Sequence, residues 1–139
     1  MSKPPAWKTE NRPPRVLLVD DDREIIEAVR YAMESEGYEI HVAHDGNQGI
    51  AMAENVHPDL LVVDMMMPRR SGFLVLEQLS RSYPKALPAI MMTANEGERH
   101  RNYAKLLGAS DYILKPFAMD QLLGAARRVL NEPLPDLTQ

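Results

Sequence analysis

Two unbroken apolar runs, Leu60-Leu61-Val62-Val63 and Ala89-Ile90-Met91-Met92, constrain this fold more than any other feature. A strand with one wet face alternates apolar and polar residues, so a run without a polar position has both faces covered, as in the centre of a parallel sheet. Around them, Arg15 to Leu130 alternates short apolar runs with segments of helical periodicity and contains no internal repeat. Val16 to Val19 is followed by Ile25, Ile26, Val29, Ala32 and Met33, spaced to line one helical face, and Gly37 closes that helix. Tyr38 to Val42 alternates apolar and polar residues, which predicts an edge strand, and Asp45-Gly46 opens a helix carrying Ile50, Met52 and Ala53. Further helices are expected around Gly72 to Arg81, from about Glu96 to Leu107 and from about Met119 to Leu130, with a fifth strand at Tyr112-Ile113-Leu114. Five strands alternating with five helices predict an α/β protein with a five-stranded, doubly wound parallel sheet, whose crevice lies at the carboxyl ends of the strands.

At 139 residues the chain accommodates one such domain, spanning 15–130. Six of the eleven prolines fall at the two ends, so 1–14 reads as an extended arm and 131–139 as a tail or linker. Trp7 is unusual in a short arm; it either packs loosely or anchors a partner. Sixteen basic against twenty acidic residues give a formal net charge of −4, which offers no global attraction for nucleic acid. The absence of cysteine excludes disulfides, thiol catalysis and cysteine-based metal sites. No apolar run approaches the roughly 20 residues that span a bilayer, and the leader lacks a signal-peptide stretch, so the expected location is the cytoplasm.

The residues that follow the strands carry the chemistry. Asp20, Asp21 and Asp22 follow the first, Asp64 the third, Thr93 the fourth and Lys115 the fifth. Carboxylates brought within about 4 Å repel by roughly 1 kcal/mol per pair in water and about 4 kcal/mol at an effective dielectric of 20. A hard divalent cation offsets that repulsion, and Mg²⁺ takes one or two carboxylates plus waters while leaving room for a phosphate oxygen. Lys115 adds a second positive charge and the Thr93 hydroxyl a hydrogen-bond donor, a set suited to phosphoryl transfer. Asp22 immediately precedes a helix and reads as its N-cap rather than as a ligand.

The segments Val-Leu-Leu-Val-Asp-Asp-Asp at 16–22, Asp-Leu-Leu-Val-Val-Asp-Met-Met-Met-Pro at 59–68, Met-Met-Thr-Ala at 91–94 and Gly-Ala-Ser-Asp-Tyr-Ile-Leu-Lys-Pro-Phe at 108–117 resemble the receiver domain of two-component response regulators. The resemblance covers about Arg15 to Leu130 and implies a flavodoxin-like sheet of strand order 2-1-3-4-5. It implies that Asp64 is the phosphoacceptor, charged by a histidine kinase, a phosphotransfer protein or a small acyl phosphate. Asp21 would then bind Mg²⁺ directly, Asp20 mainly through water, and the Met66 backbone carbonyl would be a further ligand. Thr93 and Lys115 would contact the phosphoryl group, with Thr93 and Tyr112 forming the switch, a cis bond before Pro116, and Met66 and Asn95 tuning dephosphorylation. The output surface would be that of the fourth helix, fifth strand and fifth helix, serving partner binding or a homodimer. Apart from its own phosphorylation and dephosphorylation, such a domain is not an enzyme.

Arg69-Arg70-Ser71 stands where many members of the family carry an apolar and an acidic residue, so the loop beside Asp64 is either a basic solvated loop or a docking element for an acidic partner. Ala125 replaces an arginine frequent in receivers that dimerise, although Arg127 and Arg128 follow it. The same residues admit a phosphorylation-independent interaction module, or an aspartyl-nucleophile phosphatase using Asp20 and Asp22. A flavin mononucleotide protein would place a Ser/Thr/Gly-rich phosphate loop where this chain has three aspartates. His41, His44, His57 and His100 are scattered and fit surface positions better than metal binding.

Overall fold

A computed structural model describes residues 4–67, 70–82, 87–94 and 97–131. Five strands, β1 (Arg15–Val19), β2 (Glu39–Ala43), β3 (Leu60–Asp64), β4 (Ala89–Thr93) and β5 (Asp111–Leu114), form one parallel sheet of order β2-β1-β3-β4-β5. Five helices cover it: α1 (Arg23–Ser35), α2 (Gly46–Val56), α3 (Gly72–Ser82), α4 (Glu98–Leu106) and α5 (Met119–Asn131).

Alternation along the strands divides the core into two layers. Val16, Leu18, Leu60, Val62, Ile90 and Met92 point to the face covered by α1 and α5, where Ile26, Val29, Met33, Leu122, Ala126 and Val129 meet them. Leu17, Val19, Leu61, Val63 and Met91 point to the opposite face, under Ala53 of α2, Val75, Leu76 and Leu79 of α3, and Ala104 of α4. Every residue of β3 and β4 is buried, which is why neither run contains an exposed polar position. The edge strand β2 keeps only Ala43 fully buried, and β5, on the other edge, only Ile113.

Local chemistry sets the helix starts. The Asp22 carboxylate accepts from the backbone N–H groups of Glu24 and Ile25, capping α1. Asp45 caps α2 by accepting from Gln48 N–H at 2.8 Å, and the Gln48 side chain accepts in return from His44 N–H at 2.6 Å. α2 ends on His57 in the left-handed region, φ 53°, without the glycine usual at such a stop.

The leader differs from the extended arm expected of it. Residues 6–9 form a helical turn, Ala6–Thr9, and Trp7 packs on the α1/α5 layer with its indole Nε1 donating to the Leu130 carbonyl at 3.3 Å. Arg12 reaches both oxygens of Asp59, at 2.7 and 3.2 Å, while Asp59 also accepts from Arg15 N–H at 2.8 Å. These contacts strap the leader across the end of the sheet opposite the site described below. The tail 132–139 lies outside the described residues.

Candidate functional site

The strand order reverses at β1, with β2 added on one side of it and β3 on the other, so β1 and β3 flank the topological switch point, and the crevice beyond their carboxyl ends is where a doubly wound sheet places its site. Asp20 follows β1 and is completely buried; Asp64 ends β3 and is 4% exposed; Asp21 is exposed. One oxygen from each of the three lies within 4.8 Å of the others, the one such cluster of ligating side chains among the described residues.

Lys115 reaches this cluster from the end of β5. Its Nζ lies 3.0 Å from Asp20 Oδ2 and 3.2 Å from Asp64 Oδ1. The other Asp20 oxygen, Oδ1, accepts from Asp22 N–H at 2.9 Å, so both oxygens of Asp20 are engaged within the protein. Met66 N–H approaches Asp64 Oδ1 at 3.4 Å. Burial, then the neighbouring charge of Asp20, push the Asp64 carboxyl up to about 6, against the opposing pull of Lys115. Burial works to lower the Lys115 ammonium, but its hydrogen bond to Asp20 and the charges of Asp20 and Asp64 outweigh that and raise it. The site is thus an acidic pocket, buried at Asp20 and Asp64, in which three carboxylates face one fixed cation, two more than that cation balances. Its donors are oxygens, the set a hard divalent cation takes.

Thr93 ends β4 and is fully buried. Tyr112 pairs in register with Met91, two residues before Thr93, so both point to the α2/α3/α4 face. The Lys115–Pro116 peptide is cis. Met66 is 66% exposed beside Asp64. Asn95 and Arg69 lie outside the described residues. Arg70 donates to the Gln78 side chain at 2.6 Å, which ties part of the basic loop to α3. Arg127 and Arg128 pair within the chain, with Glu36 and Asp111 respectively, and Ala125 is buried. The histidines stay out of the acidic cluster; His41, for example, pairs with Glu39 on β2.

One residue of the site carries no chemistry and was not singled out in the sequence. A Cβ at Gly72 would stand 2.2 Å from the Asp64 carbonyl oxygen, so the turn from β3 into α3 closes only over glycine. Its signal is a glycine at the first position of a helix, where little else favours it.

The response regulator receiver domain profile matches residues 16–127. This chain belongs to that family. Receiver domains are the phosphorylation-activated signalling modules of two-component systems. The chain is 40% identical to the response regulator MprA of Mycobacterium avium over 122 residues, which is 88% of this chain and 53% of that protein. It therefore spans about half the length of the relatives it matches. Among solved structures it resembles the Vibrio cholerae chemotaxis protein CheY4, with TM-score 0.80, 31% identity, and coverage of 85% of this chain and 99% of that one. It also resembles the non-phosphorylated receiver domain of HemR from Leptospira biflexa, with TM-score 0.79, 31% identity, and coverage of 88% and 98%. Family membership stands against the phosphatase reading, and Asp22, which that reading needs as its second carboxylate, caps α1 through Oδ1. No helix among the described residues is long and apolar enough to cross a membrane.

Proposed function

We propose that this receiver domain accepts a phosphoryl group on Asp64 from a phosphohistidine of a kinase or phosphotransfer protein, or from a small acyl phosphate. The observation that carries this reading is the convergence of Asp20, Asp21 and Lys115 on a buried Asp64 at the strand ends. An Asp64 Oδ atom attacks phosphorus as the bond from phosphorus to the donor nitrogen or oxygen breaks, and the electron pair leaves with the donor. Such a step needs positioning and charge neutralisation rather than a strong base.

The donor set fits Mg²⁺, which when bound supplies positive charge to the phosphoryl oxygens and offsets the acidic cluster. Because both Asp20 oxygens already accept hydrogen bonds, the exposed Asp21 carboxylate is the one suited to direct coordination and Asp20 to contact through water. Asp64 and the Met66 carbonyl complete the proposed ligand set. Lys115, held between Asp20 and Asp64, neutralises a phosphoryl oxygen, and the Thr93 hydroxyl donates to another.

Thr93 and Tyr112 share one face of the sheet, so a Thr93 drawn toward the phosphoryl group vacates space beside Tyr112. Moving a two-state equilibrium from 1:99 to 99:1 requires about 5.5 kcal/mol, which charge-assisted bonds to a phosphoryl dianion can supply. The surface of α4, β5 and α5 changes with it and serves a partner or a second copy. The segment itself contacts no nucleic acid and operates in the cytoplasm.

Reductive trapping tests the acceptor. After incubation with acetyl phosphate and Mg²⁺, borohydride converts an aspartyl phosphate to homoserine, and peptide mapping is expected to find it at position 64. Homoserine at 20 or 21, or at none of the three, contradicts the assignment.

A further inference from the structure

Helix α4 is the least anchored of the five: of its nine residues only Ala104 is fully buried. Ring contacts carry much of its attachment. On one side Tyr103 meets Phe73 of α3 at a centroid distance of 5.0 Å, and His100 stacks on the same ring at 6.1 Å and 15°. On the other side the Arg101 guanidinium lies 5.4 Å from the centroid of the Tyr112 ring on β5. A guanidinium over a ring face is a directional contact that exists in one side-chain rotamer of the tyrosine. Turning Tyr112 about its Cα–Cβ bond removes the ring from beneath Arg101.

We propose that Arg101 is a positioning residue for the Tyr112 switch: it stabilises the unphosphorylated placement of the ring and couples the departure of that ring to loosening of α4. The proposal rests on Asp64 being the phosphoacceptor and adds to it a residue of this chain that sets how readily the switch moves. The physical reason is differential contact, since a ligand or a side chain shifts a two-state equilibrium only by what it contributes to one state and not to the other. Arg101 favours the state with Tyr112 beneath it. Phosphorylation, acting through Thr93, favours the other, so the Arg101 contact sets part of the threshold that the phosphoryl group must overcome.

When the responsive conformer is the minor one, apparent affinity for a phosphoryl mimic scales with its population. Loss of a cation–π contact at an exposed site corresponds to a change of about two- to fivefold in that population. The test labels the whole chain with 3-fluorotyrosine, assigns the Tyr112 resonance with Tyr112→Phe, and titrates beryllofluoride with Mg²⁺. In Arg101→Gln, the Tyr112 resonance in the absence of mimic is expected to lie displaced toward its mimic-bound position. The mimic is expected to half-saturate at about two- to fivefold lower concentration, and amides of residues 98–106 to exchange faster. Arg101→Lys, which keeps a cation, is expected to fall between Arg101→Gln and wild type in all three readouts. An Arg101→Gln chain that matches wild type in resonance and half-saturation, or that needs more mimic, overturns the proposal while leaving the Asp64 reading intact. A wild-type Tyr112 resonance that ignores saturating mimic overturns the proposal together with the Thr93–Tyr112 switch, while the acceptor stands or falls on the position of homoserine after reductive trapping.

Discussion

The Lys115 ammonium lies 3.2 Å from Asp64 Oδ1, yet the Asp64 carboxyl is pushed up to about 6. Burial and the charge of Asp20 outweigh the lysine, so the folded protein holds the proton on Asp64 more tightly than the unfolded chain, where the group titrates near 3.8. A raised carboxyl stabilises the fold at low pH and loses that contribution as pH climbs from about 4 through about 6. At roughly 1.4 kcal/mol per pH unit of difference, the loss approaches about 3 kcal/mol. Asp64→Asn is therefore expected to be more stable than wild type by about 1–3 kcal/mol at pH 8 in the absence of Mg²⁺ and to lose that advantage at pH 4. Urea denaturation at the two pH values measures this, and an equal gap at both contradicts the stated cause.

Lys115 is the fixed cation beside a completely buried Asp20. Removing one partner of a buried pair leaves the other uncompensated, so Lys115→Met is expected to cost about 3 kcal/mol of stability at pH 7. Asp20→Asn in the same chain is expected to restore part of it. A double-mutant cycle checks the coupling, and additive losses count against it.

The strap of the leader makes Trp7 part of the folded domain. As the chain's single tryptophan, it reports its own environment directly. Its fluorescence is expected to change in one transition coincident with loss of helical circular dichroism, and Trp7→Ala to cost about 1–2 kcal/mol, below the ~3–5 kcal/mol of a fully buried tryptophan. An earlier, separate fluorescence transition would show a leader that melts independently.

Met66 stands 66% exposed beside Asp64 and has no group that activates or orients water. Met66→Asn supplies a polar amide at that position and is expected to shorten the lifetime of the phosphorylated form. The decay of phosphorylated protein after removal of the donor measures it, and a longer lifetime in the variant runs against the argument.

Residues whose chemistry is local were the ones the sequence revealed. The apolar runs of β3 and β4 require two covered faces wherever they occur, and the aspartates and lysine that follow strands are placed by the direction of the sheet alone. Asp22 and Asp45 cap the helices they precede, a relationship spanning two or three residues. Proline content describes backbone stiffness, not docking, so the contacts of the leader are not legible in it. Its two main contacts, Trp7 with the Leu130 carbonyl and Arg12 with Asp59, join positions far apart in the chain and have no periodicity to betray them. The Arg101–Tyr112 stack is of the same kind: nothing within α4 or β5 alone announces it. Gly72 lay between the two classes, since its position was visible but the Asp64 carbonyl that excludes a side chain there was not.

The central claim is that Asp64 takes a phosphoryl group in a Mg²⁺-dependent reaction within this domain. Intact-protein mass after incubation with acetyl phosphate and Mg²⁺, beside an Asp64→Asn variant and an EDTA control, tests it most directly. The expected result is a gain of one phosphoryl group in wild type and no gain in either control. An equal gain in Asp64→Asn contradicts the acceptor, an equal gain with EDTA contradicts the metal, and no gain in wild type from either acetyl phosphate or a phosphohistidine donor would mark the domain as a phosphorylation-independent interaction module.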